Sequence, residues 1–234
     1  MKKLLDKLPI IIRSFVTILL FYCSVVFQYV PVLLFHISRK TLSGNYRMAS
    51  LLATFSSLII LGIILVVYKR DLAEEFHVFR LKWKRNILTG GACWLAGLFF
   101  MIFANTILIF VFHSEGANND LVVRSMIAAY PAVMGLDVCI LAPIIEEIVY
   151  RKSLKDVFDN QYVFIIASFL FFGLAHVATM ATSFVDWLYV IPYGAFGAAF
   201  AYAYSKTDTV FTSILFHMVH NIFTFILILL LSTL

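Results

Sequence analysis

Two adjacent glutamates stand inside an apolar run, Pro143-Ile144-Ile145-Glu146-Glu147-Ile148-Val149-Tyr150-Arg151. From Met134 to Ile145 the run carries one charge, Asp137, and it reads as part of a membrane helix. An ionisable group at such depth costs about 2.5–3.5 kcal/mol or more, so it is rarely retained without a task. Glu147 and Arg151 are four residues apart, share one helix face and can offset each other's burial as an ion pair. Glu146 lies about 100° further round and has no such partner. Glu146 is therefore the candidate for chemistry.

Further polar groups stand in later apolar runs. His176 ends Phe172-Gly173-Leu174-Ala175-His176. His217 and Asn221 share a face in His217-Met218-Val219-His220-Asn221, with His220 on a neighbouring position. Taken singly, a membrane histidine is a helix–helix hydrogen-bonder. Taken together, a carboxylate base, an imidazole that orients water and a His–Asn pair that donates to an oxyanion make a set suited to hydrolysis. Glu146, His176 and His217 are also a candidate Zn²⁺ ligand set with a position left for water. The sequence has no His-Glu-x-x-His, so metal and metal-free routes both stay open.

These residues need helices to position them. The chain has 234 residues, 62% of them hydrophobic, a composition for a polytopic all-α membrane bundle of one domain. Seven apolar spans, with an eighth as an alternative, are expected at about 14–36, 48–68, 87–112, 131–150, 161–179, 184–204 and 209–232. The net charge of +5 does not argue for nucleic acid, because the cations sit in short loops. With the N-terminus in the cytoplasm, 14 of the 18 Lys and Arg residues fall in inner segments and 4, Arg39, Lys40, Arg47 and Arg124, in outer ones. That asymmetry sets the orientation, with the C-terminus outside and the first span retained. Residues 69–86 read as a positive loop, with a surface helix against anionic lipid as the alternative. Cys23, Cys93 and Cys139 stand singly in apolar runs and read as small hydrophobes.

Helical rise gives the depths. Measured from the turn near Asp159-Asn160, Glu146 rises ~20 Å and His176 ~24 Å. Measured from the turn near Lys206-Thr207, His217 and Asn221 rise ~16 and ~22 Å. The four side chains are expected to converge. Gly194 and Gly197, among alanines of span six, are expected to draw spans five and seven together around a cavity. Since hydrolysis needs water and the cations crowd the inner side, that cavity is expected to open to the cytoplasm near Val149 and Thr209.

Glu146-Glu147…Arg151, Phe172…His176 and His217…Asn221, in this order on three spans, resemble the CPBP family of intramembrane proteases, also called the ABI or CAAX-protease-like family. The resemblance covers about 131–225, the expected catalytic core of the single domain. It implies Glu146 as general base, His176 as its partner in activating water, and His217 with Asn221 as the oxyanion site. Glu147, Arg151 and Phe172 support the site. The family has been described both as metalloproteases and as metal-free glutamate enzymes. The implied substrate is a membrane-associated protein or peptide, cut within the lipid bilayer. Bacterial relatives of this size are linked to bacteriocin immunity and peptide-signal processing. Lys152 departs from the pattern, which has a small residue after the arginine. Two other functions are open to the same residues: a non-catalytic membrane scaffold or immunity protein, and a transporter using buried Glu and His as a proton relay. The complete motif set favours the peptidase.

Overall fold

A computed structural model describes residues 2–34, 36–37, 41 and 44–231. Arg39 and Lys40, counted above among the outer cations, and residue 232 of the seventh span lie outside the described residues. Among the described residues there are helices, turns and irregular connections but no strand. In chain order the helices are α1 (Lys2–Tyr22), α2 (Ser24–Leu34), α3 (Tyr46–Val67), α4 (Lys69–Leu81), α5 (Trp83–Phe112), α6 (Asn118–Ala129), α7 (131–157), α8 (Gln161–Val177), α9 (Phe184–Leu188), α10 (Val190–Thr207) and α11 (Val210–Leu231). Over their described residues the seven expected spans are mostly helical, the first as two helices that part at Cys23. Four stretches, Tyr46–Val67, Trp83–Phe112, Phe184–Thr207 and Val210–Leu231, are long and apolar enough to cross a membrane on their own. Together with the shorter apolar helices at Leu8–Tyr22 and Gln161–Val177, they make an integral membrane helical bundle.

Local chemistry sets the boundaries. Asn45 accepts the Met48 N–H at 3.0 Å and starts α3. Asn160 accepts the Tyr162 and Val163 N–H groups and starts α8. Ser183 and Asp186 form a reciprocal capping box at α9. Asp208 takes a left-handed conformation, φ 54°, which turns the chain sharply from α10 into α11.

Helix α7 is not uniform. It passes through two π turns, Asp137–Leu141 and Ile148–Lys152, on either side of the segment Ala142–Glu147. Pro143 contributes to the first, since it has no N–H to offer the preceding turn. The Ala142 N–H reaches back to the Asp137 carbonyl. The Val138 carbonyl thus loses its ordinary donor, Ala142, and its next candidate is proline. In the second π turn the Ser153 N–H reaches back to the Ile148 carbonyl, and Ser168 of α8 donates to the Tyr150 carbonyl at 2.9 Å.

The closest helix packing is α8 against α10. A Cβ on Gly197 would stand 2.6 Å from the Ser168 carbonyl oxygen and 3.0 Å from the Phe169 Cα, and one on Gly173 would stand 2.6 Å from the Val190 carbonyl oxygen. The glycines of span six thus seat span five on span six. They do not draw span five to span seven as the sequence suggested. Helix α11 packs instead on α7, α5 and α10.

Residues 69–81 are helical, which overturns the loop reading. Alternating charge hid a helix that docks its acids inward. Arg13 of α1 donates to Asp71 and to Asp156, each at 2.7 Å. Lys152 donates to Asp156 at 2.7 Å and lies 3.4 Å from Asp71 and 3.6 Å from Glu75. Burial is the largest influence on Asp71 and opposes its charge, but Arg13 and Lys152 together outweigh it and hold this carboxyl below its usual range. Glu75 accepts the Val210 N–H at 2.7 Å and the Tyr204 hydroxyl at 2.8 Å. Lys152, the departure from the family pattern, therefore has three acidic neighbours. This cluster and the tyrosines around it fill the cation-bearing end of the bundle, and Val149 and Thr209 are fully buried. The expected cytoplasmic opening is not found at those positions.

Gly197→Ala should cost about 1–3 kcal/mol, because its Cβ meets backbone that cannot move aside cheaply. Gly62→Ala is the control, since nothing lies within 4 Å of its Cβ. Thermal unfolding in detergent should show a lowered midpoint for the first and an unchanged one for the second.

Candidate active site

Glu147 and Arg151 are both fully buried, and Arg151 Nε lies 3.1 Å from Glu147 Oε2. This is the pair that the four-residue spacing predicts. The guanidinium is also covered by rings, its Cζ standing 4.4 Å from the centroid of Phe172 and 5.7 Å from that of Phe200. Such cation–π contacts replace part of the hydration the ion has lost. Phe172 thus closes the site from the α8 side.

The second oxygen of Glu147 has a use the sequence did not reveal. Glu147 Oε1 lies 2.8 Å from His217 Nδ1, across 70 residues of chain. A carboxylate oxygen can only accept, so His217 Nδ1 carries the proton. His217 Nε2 is then free and faces Glu146, 3.8 Å from Oε2. Glu146 has a partly exposed side chain, 17% against 0% for Glu147. The two adjacent glutamates therefore bracket one imidazole. Glu147 orients it, and Glu146 faces its open nitrogen.

Asn221, one turn further along α11, donates Nδ2 to the Val138 carbonyl at 2.8 Å. This is the carbonyl that the π turn and Pro143 leave without a helical donor. One of the two amide N–H groups is committed there and the other remains. The bond fixes Asn221 in depth and rotation against α7. His220 packs its ring on Phe196, 4.3 Å between centroids, away from the Glu146–His217 contact.

His176 is placed differently. Its Nδ1 lies 2.8 Å from the Phe172 carbonyl, which also makes Nδ1 the protonated nitrogen and leaves Nε2 as an acceptor in the neutral ring. The ring stacks on Tyr193 of α10 with centroids 4.5 Å apart, and Tyr193 donates to Asp120 of α6 at 2.7 Å. His176 also borders a cavity of about 10 Å³ with Asn118, Asn119 and Asp186. It lies at the far end of α8 from the Arg13–Lys152 cluster. The Phe172 ring connects the two histidines, 4.5 Å from His176 and 5.8 Å from His217.

The donor set also tests the zinc reading of Glu146, His176 and His217. Among the described residues, no three His, Cys, Asp or Glu side chains converge as a metal centre requires. Both rings keep Nε2 open, as a ligating histidine would, but they do not converge: His217 lies between Glu146 and Glu147, whereas His176 stacks on Tyr193. The arrangement does not fit a zinc centre.

Comparison with known proteins follows the same residues. Positions 128–223 match the family model described as Type II CAAX prenyl endopeptidase Rce1-like, a range that includes Glu146, His176, His217 and Asn221. A Bacillus subtilis (strain 168) protein described as "Putative membrane peptidase YdiL" is 29% identical over 141 residues, which is 57% of this chain and 54% of that protein. The chain thus spans about half the length of the curated relative it matches. No solved structure gives a significant match. Over the residues that carry its motifs, the chain is thus similar to the type II CAAX prenyl endopeptidase, Rce1-like, family.

Proposed function

We propose that the chain is an intramembrane endopeptidase that hydrolyses a peptide bond of a membrane-associated protein or peptide. The observation that carries this reading is the bracketed imidazole: Glu146 Oε2 3.8 Å from His217 Nε2, with His217 Nδ1 held at 2.8 Å by a glutamate paired to Arg151. A membrane scaffold has no need of a partly exposed carboxylate facing an oriented ring nitrogen.

In this mechanism one water donates a hydrogen bond to Glu146 and another to His217 Nε2. Its oxygen attacks the scissile carbonyl carbon. Glu146 takes the water proton as that bond forms and gives it to the leaving nitrogen as the C–N bond breaks. The N–H of Asn221 not used on Val138 is the donor offered to the developing oxyanion. His217 in its neutral form offers an acceptor at Nε2. The reading therefore moves His217 from the oxyanion site to the water. Both water protons are then taken, so His176, which presents a further acceptor at Nε2, holds the substrate. Arg151 and Glu147 take no part in proton transfer; they hold His217 in one tautomer and one orientation.

The test is cleavage of a membrane-anchored peptide library by purified protein in vesicles. Glu146→Gln should abolish product while the protein stays folded, because shape is kept and the base is lost. A Glu146→Gln variant that cleaves at the wild-type rate would sink the assignment and leave the scaffold reading. Arg151→Met should act through stability. It strands Glu147 without its cation and should cost about 3–5 kcal/mol, read as lost abundance in the membrane. Incubation with a strong chelator should leave cleavage unchanged, and elemental analysis of the active protein should find far less than one zinc per chain. A chelator-sensitive enzyme that recovers with zinc would reverse the conclusion drawn from the donor geometry.

A further inference from the structure

The two acids of α4 that face the bundle, Asp71 and Glu75, are used up inside it by Arg13, Lys152, Tyr204 and the Val210 N–H. The cations of α4 and of the first turn of α5 are not used in this way. Lys69, Arg70, Arg80, Lys82, Lys84 and Arg85 are all exposed. Glu74 is the exposed acid among residues 69–85. The helix therefore sorts its charges by face, acids inward and cations outward, and the outward cations keep their field.

Depth puts this face at the lipid headgroups. Helix α5 has 30 residues, or ~45 Å at ~1.5 Å each, against a hydrocarbon core of ~30 Å. Its polar first turn, Trp83 to Asn86, belongs to the excess length. Trp83 is 51% exposed and Leu81 68% exposed, and the Lys84 ammonium lies 5.6 Å from the Trp83 ring centroid. An exposed indole beside exposed cations suits a membrane interface. Arg85 donates to the Lys206 carbonyl, which extends the cationic surface to the turn between α10 and α11.

We propose that the outward face of α4 and the first turn of α5 bind the headgroups of anionic phospholipids and gather them around this end of the bundle. The occupant is the charged lipid of the bilayer in which the chain sits. Exposed cations supply the attraction, and the apolar residues between them fix the height.

The experiment reads lipid contact at Trp83. In a Trp94→Phe/Trp187→Phe background, Trp83 is the remaining tryptophan of the three in the chain. The protein is reconstituted into phosphatidylcholine vesicles in which an equal minor fraction is either brominated phosphatidylglycerol or brominated phosphatidylcholine. Bromine near the headgroup end of the acyl chain quenches an indole in contact with it. The phosphatidylglycerol should quench at least about twofold more, reflecting its enrichment at the cations. Raising the salt to about 1 M, where the Debye length is about 3 Å, should remove the difference in the unaltered surface. Arg70→Gln/Arg80→Gln/Lys82→Gln should remove it at low salt. Equal quenching by the two lipids overturns the proposal, and so does a preference that neither salt nor the triple substitution reduces.

Discussion

A fully buried guanidinium beside a fully buried carboxylate is the constraint on which the rest of this site depends. Neither Arg151 nor Glu147 has water to return to, so each is tolerated only while the other stays in place. That requirement spreads outward. Phe172 and Phe200 must lie over the guanidinium, which fixes how α8 and α10 approach α7. Glu147 has a second oxygen, and it fixes His217 and with it the rotation of α11. Three helices from distant parts of the chain are set by one pair. Glu146 differs from its neighbour by one residue and by its partial exposure, and it shares none of these obligations.

Much of this was legible in sequence because it rests on short-range geometry. Apolar runs of bilayer length gave the helices, and a four-residue spacing gave the Glu147–Arg151 pair. The motif order gave the resemblance that the family model then matched. The contacts that decide the site's layout are long-range or irregular, and hydropathy carries no trace of them. Nothing local indicates that Glu147 reaches His217, 70 residues away. The small residues of α10 announced a close approach without naming the partner, which proved to be α8. The stretch 69–81 misled for a definite reason. A surface helix ordinarily turns its apolar stripe inward, whereas α4 turns the part-buried Asp71 and Glu75 inward beside buried Leu72, so its charges looked like those of a loop. Lys152 looked out of place for the same reason, since its acidic neighbours come from α4 as well as from its own helix.

The same cluster ties the site to the chain's first helix. Arg13 spans Asp71 and Asp156, so α1, α4 and the end of α7 meet at one guanidinium. Glu75 holds the first N–H of α11, and His217 stands two turns above it. Substitutions at Arg13 or Glu75, far from Glu146 in sequence, therefore bear on the placement of the imidazole.

The π turn at Asp137–Leu141 can also be seen as an insertion that the fold has kept. A single-residue deletion there would let α7 wind regularly and return the Val138 carbonyl to a donor of its own, leaving Asn221 with no carbonyl to hold. It would also turn everything after it by about 100° relative to Pro131–Leu136. The two glutamates would change phase, and the residue now facing His217 Nε2 would face another helix. The extra residue thus sets the phase of the pair, and with it which of the two neighbours, Glu146 or Glu147, faces His217 Nε2. In an alignment of related chains, a gap inside this turn would mark a member whose paired carboxylates are differently employed.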